Sequence, residues 1–226
     1  MAVEAVNYSS GNTTFFGGSS QTKSISIEYD TDKVVNFENT GNGIVTGRVA
    51  EINSAKTALE NYGNSYNGSL TGGTYWDEPT AVLVDSSTVL LAYTDRGDAD
   101  KGYAVVVTIS SGVLTFGTPV TYYNGGAITL GAVLLDTNKV IINYARGTSA
   151  AQAICCTISG TVPTFGSAFT YESTNNSASV ARTNNIRVAK ISTTQALVIY
   201  KGSTYLEAEV LDISGTTITG NTATAY

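Results

Sequence analysis

The chain contains no histidine, and its 226 residues include only two cysteines, three prolines and one tryptophan. Without an imidazole, Ser-His-Asp triads, histidine acid-base chemistry and the usual zinc and non-haem iron sites are excluded. The two cysteines, Cys155 and Cys156, are adjacent. Neighbouring strand residues point to opposite faces, so the pair cannot bridge and no disulfide framework exists. Charge is also sparse, at 13% of residues against roughly 25% in an ordinary soluble domain. Twelve basic residues against eighteen acidic give a net charge of −6. The basic residues form no block, so the phosphate-neutralising footprint of a nucleic-acid binder is missing and nucleic acid is not an expected partner. No apolar run approaches the roughly 18 residues needed to cross a bilayer. Residues 1–10 carry Glu4 and lack a basic start, so neither membrane insertion nor a secretory leader is expected.

What remains is rich in Gly, Thr and Tyr, with 42% hydrophobic residues. That mixture favours strands and is too apolar for a disordered acidic tail. It is also repetitive. Residues 81–93 (AVLVDSSTVLLAY) reappear as 132–144 (AVLLDTNKVIINY), two apolar strands around a polar turn. Weaker copies occupy 25–37 and 188–200. A turn column of Asp30, Asp85, Asp136 and Ser192 is spaced 55, 51 and 56. An aromatic column of Phe37, Tyr93, Tyr144 and Tyr200 is spaced 56, 51 and 56. Ile52, Ile109, Ile158 and Ile213 close a third strand in each unit, and the matching segments 114–122 and 163–171 supply a fourth.

Four antiparallel strands repeated four times, at about 54 residues per unit, predict an all-β chain forming a four-bladed β-propeller. The expected blades cover about 24–70, 78–124, 128–173 and 184–226, after an N-terminal strand and connecting arm over 1–23. The ends of the chain fall at matching points of the repeat. A closed four-bladed ring is the expectation, a larger ring completed by another copy the alternative.

The second unit reads Thr-Val-Leu-Leu-Ala-Tyr-Thr-Asp-Arg-Gly-Asp over 88–98, then KGYAVVV over 101–107, Ser111-Gly112 and Phe116-Gly117, while 29–35 reads YDTDKVV. This pattern resembles the propeller repeats in tail-fibre and receptor-binding proteins of marine tailed bacteriophages. The resemblance spans residues 20–226, is strongest in the second unit, and departs at the short loop 201–203. It implies a virion location and host attachment. It carries no catalytic residues onto this chain.

Three places bear candidate chemistry. Tyr75, Trp76, Asp77 and Glu78 follow a Gly-rich stretch. There an indole could face a sugar ring while the carboxylates accept hydrogen bonds from hydroxyls, unless Trp76 plugs the gap between two units. Asp77 and Glu78 as a glycosidase pair is a weaker reading, because adjacent residues would have to hold carboxyls roughly 5–9 Å apart across a scissile bond. The loop 94–102 gathers Asp95, Asp98 and Asp100, enough oxygen for a hard cation but without EF-hand spacing or its final Glu. Turn chemistry explains Asp95 and Gly97 equally well. No cofactor is expected, calcium at this loop being the one candidate. Cys155 and Cys156 stand where the second unit has Val106 and Val107, as small hydrophobes.

The sequence therefore predicts a non-enzymatic virion protein contacting host-surface glycan through inter-blade loops, and a homo-oligomer. The alternative is a structural decoration or adaptor subunit contacting other virion subunits. A glycoside-processing enzyme is the third and least supported reading.

Overall fold

Each unit begins with a hairpin whose turn is pinned by one side chain. Asp30, Asp85 and Asp136 accept the N–H of Thr31, Ser87 and Thr137 through Oδ1, and Ser192 accepts that of Thr194 through Oγ. Such side-chain-to-backbone bonds fix a tight turn without help from its surroundings. The main-chain N–H of Ile52, Ile109, Ile158 and Ile213 then closes each hairpin, donating to Asp32, Ser87, Asn138 and Thr194. The two repeat columns are thus two hydrogen-bonding devices.

The structure is a computed structural model that describes residues 24–39, 44–55, 59–60, 63–69, 76–146, 150–172, 187–201, 205–221 and 224–225. The N-terminal strand and arm expected over 1–23 lie outside the described residues. The chain is all-β, in four antiparallel sheets. The first contains β1 (Ser24–Asp30), β2 (Lys33–Asn39), β3 (Ile44–Ile52), β4 (Leu59–Glu60) and β5 (Tyr66–Ser69). The second contains β6 (Trp76–Asp85), β7 (Thr88–Asp95), β8 (Lys101–Ser110), β9 (Val113–Phe116) and β10 (Val120–Tyr123). The third contains β11 (Ala127–Asp136), β12 (Lys139–Arg146), β13 (Ala150–Ser159), β14 (Val162–Phe165) and β15 (Phe169–Glu172). The fourth contains β16 (Arg187–Ser192), β17 (Gln195–Lys201), β18 (Leu206–Ser214), β19 (Thr217–Gly220) and β20 (Thr224–Ala225). In every sheet the first three strands pair in sequence, and the last two are short pieces lying along the third.

Consecutive sheets pack face to face, giving each a forward face toward the next sheet and a rear face toward the one before. Ile25, Ile27, Val35, Phe37 and Val49 of the first sheet meet Val89, Leu91, Tyr93, Val105 and Val107 of the second. Val82, Leu90 and Val106 meet Val140, Ile142 and Ile154 across the next junction, and Leu135, Ile141 and Cys155 meet Val198, Leu211 and Ile213 across the third. Strands β7 and β12 consequently bury consecutive side chains, as strands covered on both faces must. In β17 burial alternates instead, with Ala196, Val198 and Tyr200 buried and Leu197 and Ile199 only half-buried. Among the described residues, three cores join four sheets, and none joins the fourth sheet to the first.

The registers correct one column. Counted from the hairpin pairs Lys33↔Glu51, Thr88↔Thr108, Lys139↔Thr157 and Gln195↔Asp212, the equivalent of Tyr93, Tyr144 and Tyr200 is Glu38, not Phe37. Phe37 is one residue short and faces forward. It meets Phe116 of the second sheet edge-on at 6.1 Å.

Cys155 and Cys156 do stand in the register of Val106 and Val107. Being adjacent, they enter different cores, Cys155 the third and Cys156 the second. Burial raises both thiols, Cys156 to about 12.

Candidate functional site

The two candidate segments that the sequence separates, around residues 76 and 95, are one place in the fold. Strands β6 and β7 pair Trp76 with Asp95 and Asp77 with Thr94, after a bulge that returns to register at Thr80↔Ala92. A bulge re-aims the chain locally, and here it brings the start of the second sheet alongside the turn between β7 and β8.

Trp76 is 2% exposed and sits in the core between the first and second sheets, its ring 5.7 Å from that of Tyr93. Tyr93 in turn stacks on Tyr103 at 6.0 Å. Comparison with the other junctions gives the reason for the lone indole. Tyr144 receives Tyr122 at 5.2 Å, and Tyr200 receives Tyr171 at 5.0 Å, in each case from the outermost strand of the preceding sheet. At the first junction the residue in that position is Gly68, which follows Asn67 as Tyr122 follows Thr121 and Tyr171 follows Thr170. The Phe116 ring lies over Gly68, and the ring that packs on Tyr93 comes from Trp76 instead. The indole is therefore packed between sheets and does not offer an exposed platform.

The segment 95–100 holds each of its three carboxylates separately. Asp95 Oδ1 accepts the N–H of Gly97 at 3.0 Å. Asp98 accepts the Tyr103 hydroxyl and pairs with Lys101 Nζ at 3.0 Å. Asp100 pairs with Arg96 Nη1 at 3.3 Å. Ala99 and Asp100 have φ of 52° and 57°, in the left-handed region. Two hydrogen bonds lock this turn to the connection entering the third sheet, since Ala127 N–H donates to the Asp100 carbonyl at 2.7 Å and Thr94 Oγ1 donates to the Ala127 carbonyl at 3.1 Å. The exposed surface that results comprises Arg96, Gly97, Ala99, Asn124 and Gly126, flanked by half-buried Asp98 and Tyr123.

Environment divides the acids. Asp95 is fully buried, and burial pushes its carboxyl above the ordinary range, partly offset by the Gly97 N–H. The Tyr103 hydroxyl, with Lys101, holds Asp98 below its ordinary value. Among the described residues no three acidic or cysteine side chains gather as a metal centre. The carboxylates of Asp95, Asp98 and Asp100 turn instead to separate partners.

Tyr75 lies outside the described residues. Asp77 and Glu78 occupy β6 directly after Trp76. Tyr103 and Thr94 belong to the site and carry no motif, whereas Tyr93 stands in the aromatic column. The two bulges in β6 displace the partner of Trp76 by two positions, to Asp95, and hide this pairing from the sequence. No protein-family model and no curated protein matches the chain.

Proposed function

We propose that the four sheets are consecutive blades of a β-propeller, and that the chain is a non-enzymatic recognition module of a phage virion, of tail-fibre or receptor-binding type, contacting host-surface glycan through its inter-blade loops. Radial blades bury their shared faces in one another and leave chemistry to the connections that differ between units. The observation that carries the reading is the docked turn at residues 96–100. Its two left-handed residues and its bonds to Ala127 fix Arg96, Asp98 and Asn124 on one surface beside Tyr123. Fixed polar side chains next to a half-buried tyrosine suit sugar hydroxyls and a ring face, much as antibody loops do.

The reading passes the contact from Trp76, which is core, to this neighbouring surface. The chain has no histidine, and among the described residues Asp95, Asp98 and Asp100 are engaged by the turn, by Tyr103 and Lys101, and by Arg96, which favours recognition over hydrolysis. The test is binding of the purified chain to a panel of bacterial surface polysaccharides. Arg96→Ala and Asn124→Ala are expected to weaken capture at least about tenfold at unchanged melting temperature, and Trp76→Phe to leave it intact. Capture indifferent to both alanine variants, or release of shorter saccharides, would overturn the reading.

A second reading, an adaptor or decoration subunit of the particle, is favoured by the forward face of the fourth sheet, which no core among the described residues covers.

A further inference from the structure

The three forward faces that are followed by a sheet show what such a face is built to meet. Val35, Leu90 and Ile141 occupy one hairpin position and are fully buried, whereas their counterpart Leu197 is only half-buried. Val106 and Cys155, also fully buried, correspond to half-buried Val210. Val84 and Leu135 are buried, and their counterpart Ile191 is 50% exposed. With Ile199 beside them and Leu206, 49% exposed, at the start of β18, these side chains form an aliphatic face open to solvent.

Two observations set aside the obvious cover, closure onto the first sheet, so that among the described residues the blades proposed above form an open array and not the closed ring expected from the sequence. The rear face of the first sheet carries Ser26, Asn36, Glu38, Thr46 and Arg48 where the other sheets carry mainly apolar side chains, and Asn36, Glu38 and Thr46 are already buried. A further sheet nesting as the third and fourth do would also meet a side chain. Gly117 and Gly166 donate to the carbonyls of Val106 and Cys155, and a Cβ on either would run into the backbone of Thr161 or Thr216, the turn of the following sheet. The fourth-sheet counterpart is Asn221, which makes the same bond to Val210, but its exposed side chain donates to Asp212 Oδ2 at 3.1 Å. It occupies the space that the glycines keep clear.

What fits an aliphatic face of this kind is its own likeness. Arg187 at the start of β16 and Asp212 near the end of β18 mark opposite corners of it. A two-fold axis lying in the face between these corners sets each Arg187 against the Asp212 of the other copy. We propose that the forward face of the fourth sheet is a self-association surface, covered by the same face of a second copy of this chain in an isologous dimer. The inference stands apart from glycan recognition, which uses the surface around residues 96–100 of the second sheet.

Sedimentation of the purified chain across a concentration series tests it. The expected particle has twice the 23.5 kDa of one chain, and Ile191→Lys with Leu206→Lys raises the dimer dissociation constant at least about a hundredfold with circular dichroism and melting unchanged. Arg187→Glu weakens the dimer about tenfold, and adding Asp212→Arg to that chain restores it. Because Asp212 also accepts Gln195 and Asn221, the two lysine substitutions at exposed positions decide the matter by themselves. A monomer at every concentration, growth beyond two copies, or a lysine variant that dimerises like the parent would each overturn the proposal.

Discussion

Trp76 and Asp95 face each other across β6 and β7, a buried indole opposite a buried carboxyl at the junction of the first two sheets. The pair ties what holds the sheets together to what the neighbouring turn displays. Disturbing the ring disturbs the mount on which residues 96–100 sit.

The indole is the only tryptophan, so its fluorescence reports this junction alone. Its emission is expected to be blue-shifted and poorly quenched by iodide in the native protein, with both features reversing on unfolding. Trp76→Ala is expected to cost about 3–5 kcal/mol in denaturant unfolding. A surface-like spectrum, or a cost below about 1 kcal/mol, would place the ring elsewhere.

The thiols should be inert. Both are buried and raised, so a disulfide reagent is expected to titrate neither Cys155 nor Cys156 on the native timescale and both in guanidinium. Cys155→Val and Cys156→Val copy Val106 and Val107 of the second sheet and are expected to change stability by less than about 1.5 kcal/mol. Rapid native labelling would contradict the assignment to two separate cores.

Glu209, buried at the third junction opposite Val198, gives a pH dependence of definite sign. Burial, reinforced by Glu207, raises its pKa from 4.5 to about 7. The folded state then holds a proton that the unfolded chain has released, so stability is greatest below the unfolded value and falls as pH rises from 4.5 to about 7. Buried Asp95, also raised, contributes in the same direction. The loss from Glu209 is on the order of 2 kcal/mol, or about 4–8 °C in melting temperature for a chain of this size. Glu209→Gln should flatten the profile in this window, and a parent protein that melts higher at pH 7.5 than at pH 5 would contradict the assignment.

Chelation should matter little. With Asp98 held by Tyr103 and Lys101 and Asp100 by Arg96, melting curves in EDTA and in calcium are expected to coincide. A rise of several degrees with calcium, lost in Asp95→Asn, would make the turn a cation site.

The glycines that admit the following sheet make a paired test. Gly117→Ala and Gly166→Ala are each expected to cost about 1–3 kcal/mol, because the Cβ meets backbone that cannot rotate away. Asn221→Gly, at an exposed position, should cost less than either. Equal, negligible effects at all three would mean that the sheets approach less closely than described.

Much of the fold was legible in the sequence because the repeat is written in residues with local jobs. Asp30, Asp85, Asp136 and Ser192 close turns, and the four isoleucines close hairpins, so spacing alone aligned them. The aromatic column failed at its first member for a physical reason. Strand side chains alternate, so a slip of one residue exchanges faces, and Phe37 is as apolar as the tyrosines it was set beside while the true counterpart, Glu38, is not. The union of residues 76 and 95 was hidden for a related reason. Bulges carry no composition signal, yet two of them displace the pairing of β6 by two positions. Whether Trp76 would pack or project turned on Gly68, eight residues earlier, whose missing side chain is visible only once the outer strands are aligned.

Asn221 also gives the architecture a grammar. The second and third units place a glycine here, under the turn of the sheet that follows, and the fourth places an asparagine whose amide holds Asp212. Anyone lengthening this scaffold by appending a fifth unit would have to rewrite that residue first and then supply the newcomer with a rear face as apolar as those of the second and third sheets.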